Sequence, residues 1–120
     1  MFRCAVLDDY QHVAREYGDW ASLAGKIDLR VYHDHFDTVD EVVRAIADCE
    51  IVVAMRERTA FRRELFARLP KLKLLVTTGP RNAAIDLAAA AEHGVLVCGT
   101  GAQGTGTAEL TWALILAFAR

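Results

Sequence analysis

Ile51-Val52-Val53-Ala54-Met55 and Leu72-Lys73-Leu74-Leu75-Val76-Thr77 are the two stretches that decide the fold. Both are short and aliphatic, with almost no polar interruption. A strand with one wet face alternates apolar and polar side chains, whereas a strand with helices against both faces has no need to. The pair therefore predicts central strands of a parallel sheet covered on both sides. Working outward, similar runs predict strands at 3–7, 27–32 and 95–98, in addition to 51–55 and 72–77. Longer amphipathic segments alternate with them and predict helices over 11–24, 39–48, 62–69, 87–93 and 107–120.

The punctuation agrees. Thr38, with Glu41 three residues on, has the form of a capping box for the second helix. Pro70 blocks continuation of the third, Asp86 is placed to cap the fourth, and Gly94 is a suitable C-terminal cap for it. Repeats, low-complexity tracts and flexible linkers are absent. Five βα units in 120 residues predict one domain over 1–120: an α/β, flavodoxin-like, doubly wound, five-stranded parallel sheet in the order 2-1-3-4-5.

Composition narrows the function. With 53% hydrophobic and 25% charged residues, the chain has material for a core, which excludes disorder. A net charge of -2 gives no general attraction to nucleic acid or anionic membrane. The opening residues lack the pattern of a signal peptide, and the apolar run 112–119 is too short to span a bilayer. Cys4, Cys49 and Cys98 sit in apolar surroundings without metal-like spacing and read as reduced thiols of a cytoplasmic protein.

In a doubly wound sheet, ligands bind beyond the carboxyl ends of the strands. The loops there are Asp8-Asp9-Tyr10, Arg56-Glu57-Arg58-Thr59, Thr78-Gly79-Pro80-Arg81-Asn82 and the segment 99–106. The last contains Gly99-Thr100-Gly101-Ala102-Gln103-Gly104, which matches the dinucleotide pattern G-x-G-x-x-G. That pattern works inside a βαβ unit, with an acid on the second strand to grip the ribose. Here the sequence stops within the helix, so the segment reads as a turn and no cofactor-binding residue is assigned. Asp8-Asp9 suggests the Mg²⁺ acids of a receiver domain, but strand three has no terminal aspartate and no lysine follows Cys98. Two carboxylates are also the wrong surface for the phosphate of flavin mononucleotide. A capping or turn role remains for them. His33-Asp34-His35 has no further His or Cys at useful spacing and reads as a solvated turn, so no metal site is assigned.

Two loops look able to hold an anion. Arg56 directly follows strand three, and its guanidinium suits a carboxylate through a two-pronged fork. In Thr78-Gly79-Pro80-Arg81-Asn82, Gly79 permits an unusual turn and Pro80 fixes the next φ. Exposed amides of Gly79, Arg81 and Asn82 are then expected to form an anion-binding concavity.

The same residues resemble a known family. Arg56-Glu57-Arg58-Thr59, Leu69-Pro70-Lys71-Leu72-Lys73-Leu74-Leu75, and the run Thr77-Thr78-Gly79-Pro80-Arg81-Asn82-Ala83-Ala84-Ile85-Asp86-Leu87 are similar to the D-2-hydroxyacid dehydrogenases, nearest their phosphoglycerate dehydrogenase-like members. So are Glu92-His93-Gly94-Val95, the helix start Thr107-Ala108-Glu109, and the opening Leu7-Asp8-Asp9-Tyr10-Gln11. The resemblance implies the substrate-binding domain of an NAD-dependent oxidoreductase, with the NAD-binding half and its catalytic residues downstream, and 106–120 as the interdomain helix. It implies that Arg56, Thr78, Gly79, Pro80, Arg81 and Asn82 face a small 2-hydroxy or 2-oxo acid. No catalytic residue maps onto the chain, so the fragment alone is expected to be inactive. Arg81 stands where the commoner loop has a second glycine. The alternative is a self-standing flavodoxin-like binding domain without catalysis. The last helix is apolar nearly all round. It is expected to fold back onto its own sheet, leaving an apolar face to drive a homodimer; the alternative is that it packs against, or swaps with, the same helix of a second chain.

Overall fold

Five parallel strands form one sheet in the order β2-β1-β3-β4-β5. In a computed structural model describing residues 1–102 and 104–119, they are β1 (Phe2–Val6), β2 (Ile27–Val31), β3 (Ile51–Ala54), β4 (Leu74–Thr77) and β5 (Leu96–Gly99). Gln103 of the glycine pattern and Arg120, the expected end of the last helix, lie outside the described residues. The register places Val52 beside Ala5 and Leu75, and Thr77 beside Gly99. Strand order and direction agree with the prediction, and the carboxyl ends of β1, β3, β4 and β5 lie along one edge.

The helices are α1 (Ala14–Tyr17), α2 (Val39–Ile46), α3 (Arg63–Ala67), α4 (Leu87–Glu92) and α5 (Gly106–Phe118). The capping box of α2 is present: Glu41 N donates to Thr38 Oγ1 at 3.2 Å and Thr38 N to Glu41 Oε2 at 3.0 Å. Asp86 caps α4 by accepting from Ala89 N at 2.9 Å. The expected helix over 11–24 is instead α1 followed by a separate 3-10 turn at Trp20–Leu23. Gly18 separates them, and the indole of Trp20 lies against Gly18 where a side chain would otherwise stand. Trp20 Nε1 donates back to Ala14 O at 2.7 Å, while Asp19 accepts from Ser22 N and starts the new turn. Local hydrogen bonding by Asp19 thus wins over helix continuation.

One face of the sheet carries the core. Ala5, Leu7, Val52, Ala54 and Leu75 meet Val42 and Ile46 of α2, Leu65 and Phe66 of α3, and Ala89 and Ala90 of α4 in a single buried cluster. Phe61 and Phe66 are fully buried there, and truncation of either to Ala is expected to cost ~3–5 kcal/mol. The other face departs from expectation. Cys4 and Val6 are buried, but Ile51, Val53, Leu74 and Val76 are only half-buried and Leu96 is exposed.

The reason is α5. It does not fold back onto the sheet, and none of its described residues is buried. Trp112 is 63% exposed, Leu114 62% and Phe118 94%. Easy backbone rotation through the glycines at 99–106 permits fold-back without requiring it. The predicted packing of this helix on its own sheet is therefore incorrect.

Candidate functional site

Three loops meet at the carboxyl edge of β3, β4 and β5. Arg56 follows β3 with φ of 55°, in the left-handed region that a bulky residue enters only when held there. Its holders come from the next loop. Arg56 N donates to Thr78 Oγ1 at 3.0 Å, and the Arg56 carbonyl accepts from Asn82 Nδ2 at 2.6 Å. Asn82 Nδ2 also reaches Thr77 Oγ1 at 2.9 Å, and its Oδ1 accepts from Ala84 N at 2.9 Å. The side-chain bonds of Asn82 are thus all internal, so this residue shapes the loop from inside. Phe61 ties the same loop to the start of α3: its amide donates to Ala84 O and its carbonyl accepts from Asp86 N, both at 2.9 Å.

Gly79 has φ of 105°, and a Cβ there would fall on the guanidinium of Arg56. The glycine is needed twice, for its backbone angle and for the space that Arg56 occupies. The Arg56 side chain is 58% exposed, and its charged neighbour is Glu57 at 3.8 Å. Pro80 and Arg81 line a cleft of about 500 Å³, with Thr77, Asn82, Val97 and Gly99 among its other walls. The six predicted residues are therefore brought together, but in different roles. Thr78 and Asn82 hold the turn, Gly79 makes room for Arg56, and Pro80 and Arg81 line the cleft.

The expectation of three exposed amides needs correction. The Gly79 amide donates to Thr100 Oγ1 at 2.7 Å, and Thr100 N returns a bond to Gly79 O at 2.9 Å. Among the described residues, the amides of Arg81 and Asn82 have no intramolecular acceptor. Two free amides and two guanidinium groups are donors only, a set suited to a carboxylate. Nothing marks Thr100 in the sequence, because it lies within the glycine pattern, whose glycines carry the signal. Gly99 beside it is also required: a Cβ there would stand 2.9 Å from Gly79 O and 3.0 Å from Pro80 O.

A second cluster lies next to the first, at the end of β1. Asp8 is 1% exposed, with φ of 58°. Its carboxylate accepts from Thr59 Oγ1 at 2.6 Å, pairs with His35 Nδ1 at 2.7 Å and meets Tyr10 Oη at 3.4 Å. Its carbonyl accepts from Arg58 Nη1 at 2.6 Å, and that guanidinium lies 4.4 Å from the centre of the Tyr10 ring. Asp9 accepts from Val13 N and Ala14 N at 3.1 Å, the capping role expected of it, with His33 Nδ1 at 3.6 Å. His33 stacks on His12 with ring centroids 3.8 Å apart. The segment is solvated as expected, with Asp34 and His35 exposed and His33 partly so, but each histidine also engages a buried aspartate. The signal is the pairing of Asp8-Asp9 with His33-Asp34-His35 across adjacent strand ends, visible only once β1 and β2 are neighbours. No group of three or more potential metal ligands forms among the described residues. Cys4, Cys49 and Cys98 are free, and burial pushes the thiols of Cys4 and Cys49 up to about 11. Such thiols are far from reactive.

Comparison with known proteins shows the family and the fold. The D-isomer specific 2-hydroxyacid dehydrogenase catalytic domain matches residues 4–115. The phosphoglycerate oxidoreductase of Vibrio cholerae O395 is 36% identical with a TM-score of 0.90, over 100% of this chain and 38% of its own. A protein of Ralstonia solanacearum provisionally assigned as a D-3-phosphoglycerate dehydrogenase is 38% identical with a TM-score of 0.86, over 98% of this chain and 35% of its own. The D-lactate dehydrogenase of Aquifex aeolicus, solved with NAD and lactic acid, shares the fold at 22% identity and a TM-score of 0.70, over 94% of this chain and 32% of its own. No curated protein matches. The chain spans about a third of the length of these solved relatives, and no helix among the described residues is long and apolar enough to cross a membrane. Matched over nearly its whole length, the chain belongs to the D-isomer specific 2-hydroxyacid dehydrogenase family.

Proposed function

We propose that this chain is the substrate-side part of an NAD-dependent oxidoreductase acting on the CH–OH group of D-2-hydroxy acids, and that its loop Thr78–Asn82 with Arg56 receives the substrate carboxylate. The observation that carries this reading is that the Arg56 guanidinium lies against Gly79, in a loop whose Arg81 and Asn82 amides have no intramolecular acceptor among the described residues. Such donors orient a small acid, and orientation is a large share of what a two-part site supplies.

The residues present do not fit NAD. Gly99, the first glycine of the pattern, is closely packed on Gly79 O and Pro80 O, where a dinucleotide would need the backbone clear. When bound elsewhere in a whole enzyme of this family, the nicotinamide would supply hydride transfer. This chain alone is expected to be inactive, and the reading includes a cytoplasmic location, consistent with three free thiols. It also includes a homodimer, supported by the exposed apolar surface of α5.

Backbone NMR with pyruvate as the probe tests the site. Shifts at the Arg81 and Asn82 amides are expected, with binding weakened about 10- to 100-fold by Arg56→Ala, the effect of losing a charge-assisted bond. Pyruvate that leaves residues 78–82 unmoved, or that binds equally well without Arg56, overturns the assignment.

A further inference from the structure

The Gly79 amide belongs to the loop proposed to receive the carboxylate, yet its hydrogen bond is taken by a hydroxyl of the chain's own β5–α5 connection. We propose that Thr100 is a positioning residue that occupies the Gly79 amide while the site is empty, and that the substrate carboxylate takes its place on Gly79 N. This rests on the carboxylate site proposed above.

Several features meet here. Thr100 Oγ1 accepts from Gly79 N at 2.7 Å, while Thr100 N donates to Gly79 O at 2.9 Å, a reciprocal pair that extends the β4–β5 ladder past its end. Thr100 is exposed although Gly79 is buried, so a residue open to solvent satisfies the amide of a shielded one. The Arg56 guanidinium lies against Gly79, and the Arg81 and Asn82 amides are free. A carboxylate has two acceptor oxygens and full charge, and it makes stronger bonds to amides than a hydroxyl does. Placed between Arg56 and the loop amides, it competes with Thr100 Oγ1 for Gly79 N.

Exchange of that one bond has a reach beyond the cleft. Thr100 is the last residue before the glycine-rich segment that leads into α5, and its contacts to Gly79 fasten that segment to the loop. Release of the hydroxyl loosens one of the two bonds. Acid binding and the orientation of α5 are then coupled, because each is favoured by the state of the same amide.

The test uses the 120-residue chain, pyruvate, and the variants Thr100→Val and Thr100→Ser. The valine keeps the shape without the acceptor and the serine keeps the acceptor. Thr100→Val is expected to bind pyruvate about five-fold more tightly, the worth of one neutral hydrogen bond no longer in competition. Thr100→Ser is expected to match the parent. In the parent, pyruvate should shift the Gly79 and Thr100 amides together with those of Arg81 and Asn82, a measurement independent of either variant. If Arg81 and Asn82 move while Gly79 and Thr100 stay still, or if Thr100→Val leaves affinity unchanged or weaker, the exchange is wrong and the carboxylate site stands. If no residue from 78 to 82 responds in the parent or in Thr100→Val, both fail together.

Discussion

The side-chain amide of Asn82 donates to the carbonyl of Arg56 at 2.6 Å, across 26 residues of sequence. One short polar side chain thereby fixes the left-handed turn that aims the arginine and the loop that faces it. Asn82→Ala removes this bond together with those to Thr77 and Ala84. A loss of about 1–3 kcal/mol is expected in urea unfolding, with faster amide exchange at Arg56. An unchanged midpoint would show that the turn is held by Thr78 alone.

Gly79 and Arg56 are coupled through space. Gly79→Ala displaces the guanidinium. It also carries a left-handed backbone cost of about 1–2 kcal/mol. In an Arg56→Ala background only the backbone cost remains. The double-mutant cycle is therefore expected to show Gly79→Ala less destabilising without Arg56. Strict additivity would contradict the contact.

Asp8 is a hub whose carboxylate is fully engaged. Asp8→Ala strands the Thr59 hydroxyl in the interior and places alanine at a φ of 58°. A loss of about 3–5 kcal/mol is expected, as for one partner removed from a buried polar pair. Asp8→Asn tolerates that backbone angle and keeps one acceptor, and it should cost clearly less. Equal losses in chemical denaturation would remove the distinction.

The acid limb of stability should depend on Asp48. The Arg30 guanidinium hydrogen-bonds its carboxylate and holds it below the ordinary carboxylate range, with Arg3 also at 2.8 Å. Between an unfolded value of about 3.9 and that lowered value, the unfolded chain binds more protons than the folded one. The contribution is thus fully present above about pH 4 and lost as pH falls through the lowered value. Asp48→Asn should flatten the dependence of thermal stability on pH in that window, and a parallel curve would refute it.

Leu114→Glu and Leu116→Glu change exposed positions of α5. The folded body should keep its stability within about 0.5 kcal/mol, as for other surface substitutions. Any self-association of the parent seen by light scattering should fall. A loss of folding instead would mean that α5 is buried in solution.

The sheet is legible because apolar runs and their breaks are local signals. Thr38 with Glu41, Asp86 and Gly94 mark helix ends through their immediate neighbours, and the structure places them as read. The candidate site is legible only as a neighbourhood: Arg56 and the loop around Gly79 do share one edge. Roles within it are not, because they arise from contacts across the sheet. Nothing beside Thr100 in sequence shows that it meets Gly79, or that His35 meets Asp8. The last helix defeats the sequence for a related reason. Its uniform apolarity shows that something can cover it, and says nothing about what does.

Among the described residues, every buried hydrophobic side chain lies between Cys4 and Val95. A chain ended just after Thr100 would keep that entire interior and also the latch on Gly79. The joint past Thr100 is therefore a natural splice point, where a foreign helix, a reporter or an affinity handle can replace α5 without disturbing the sheet it hangs from.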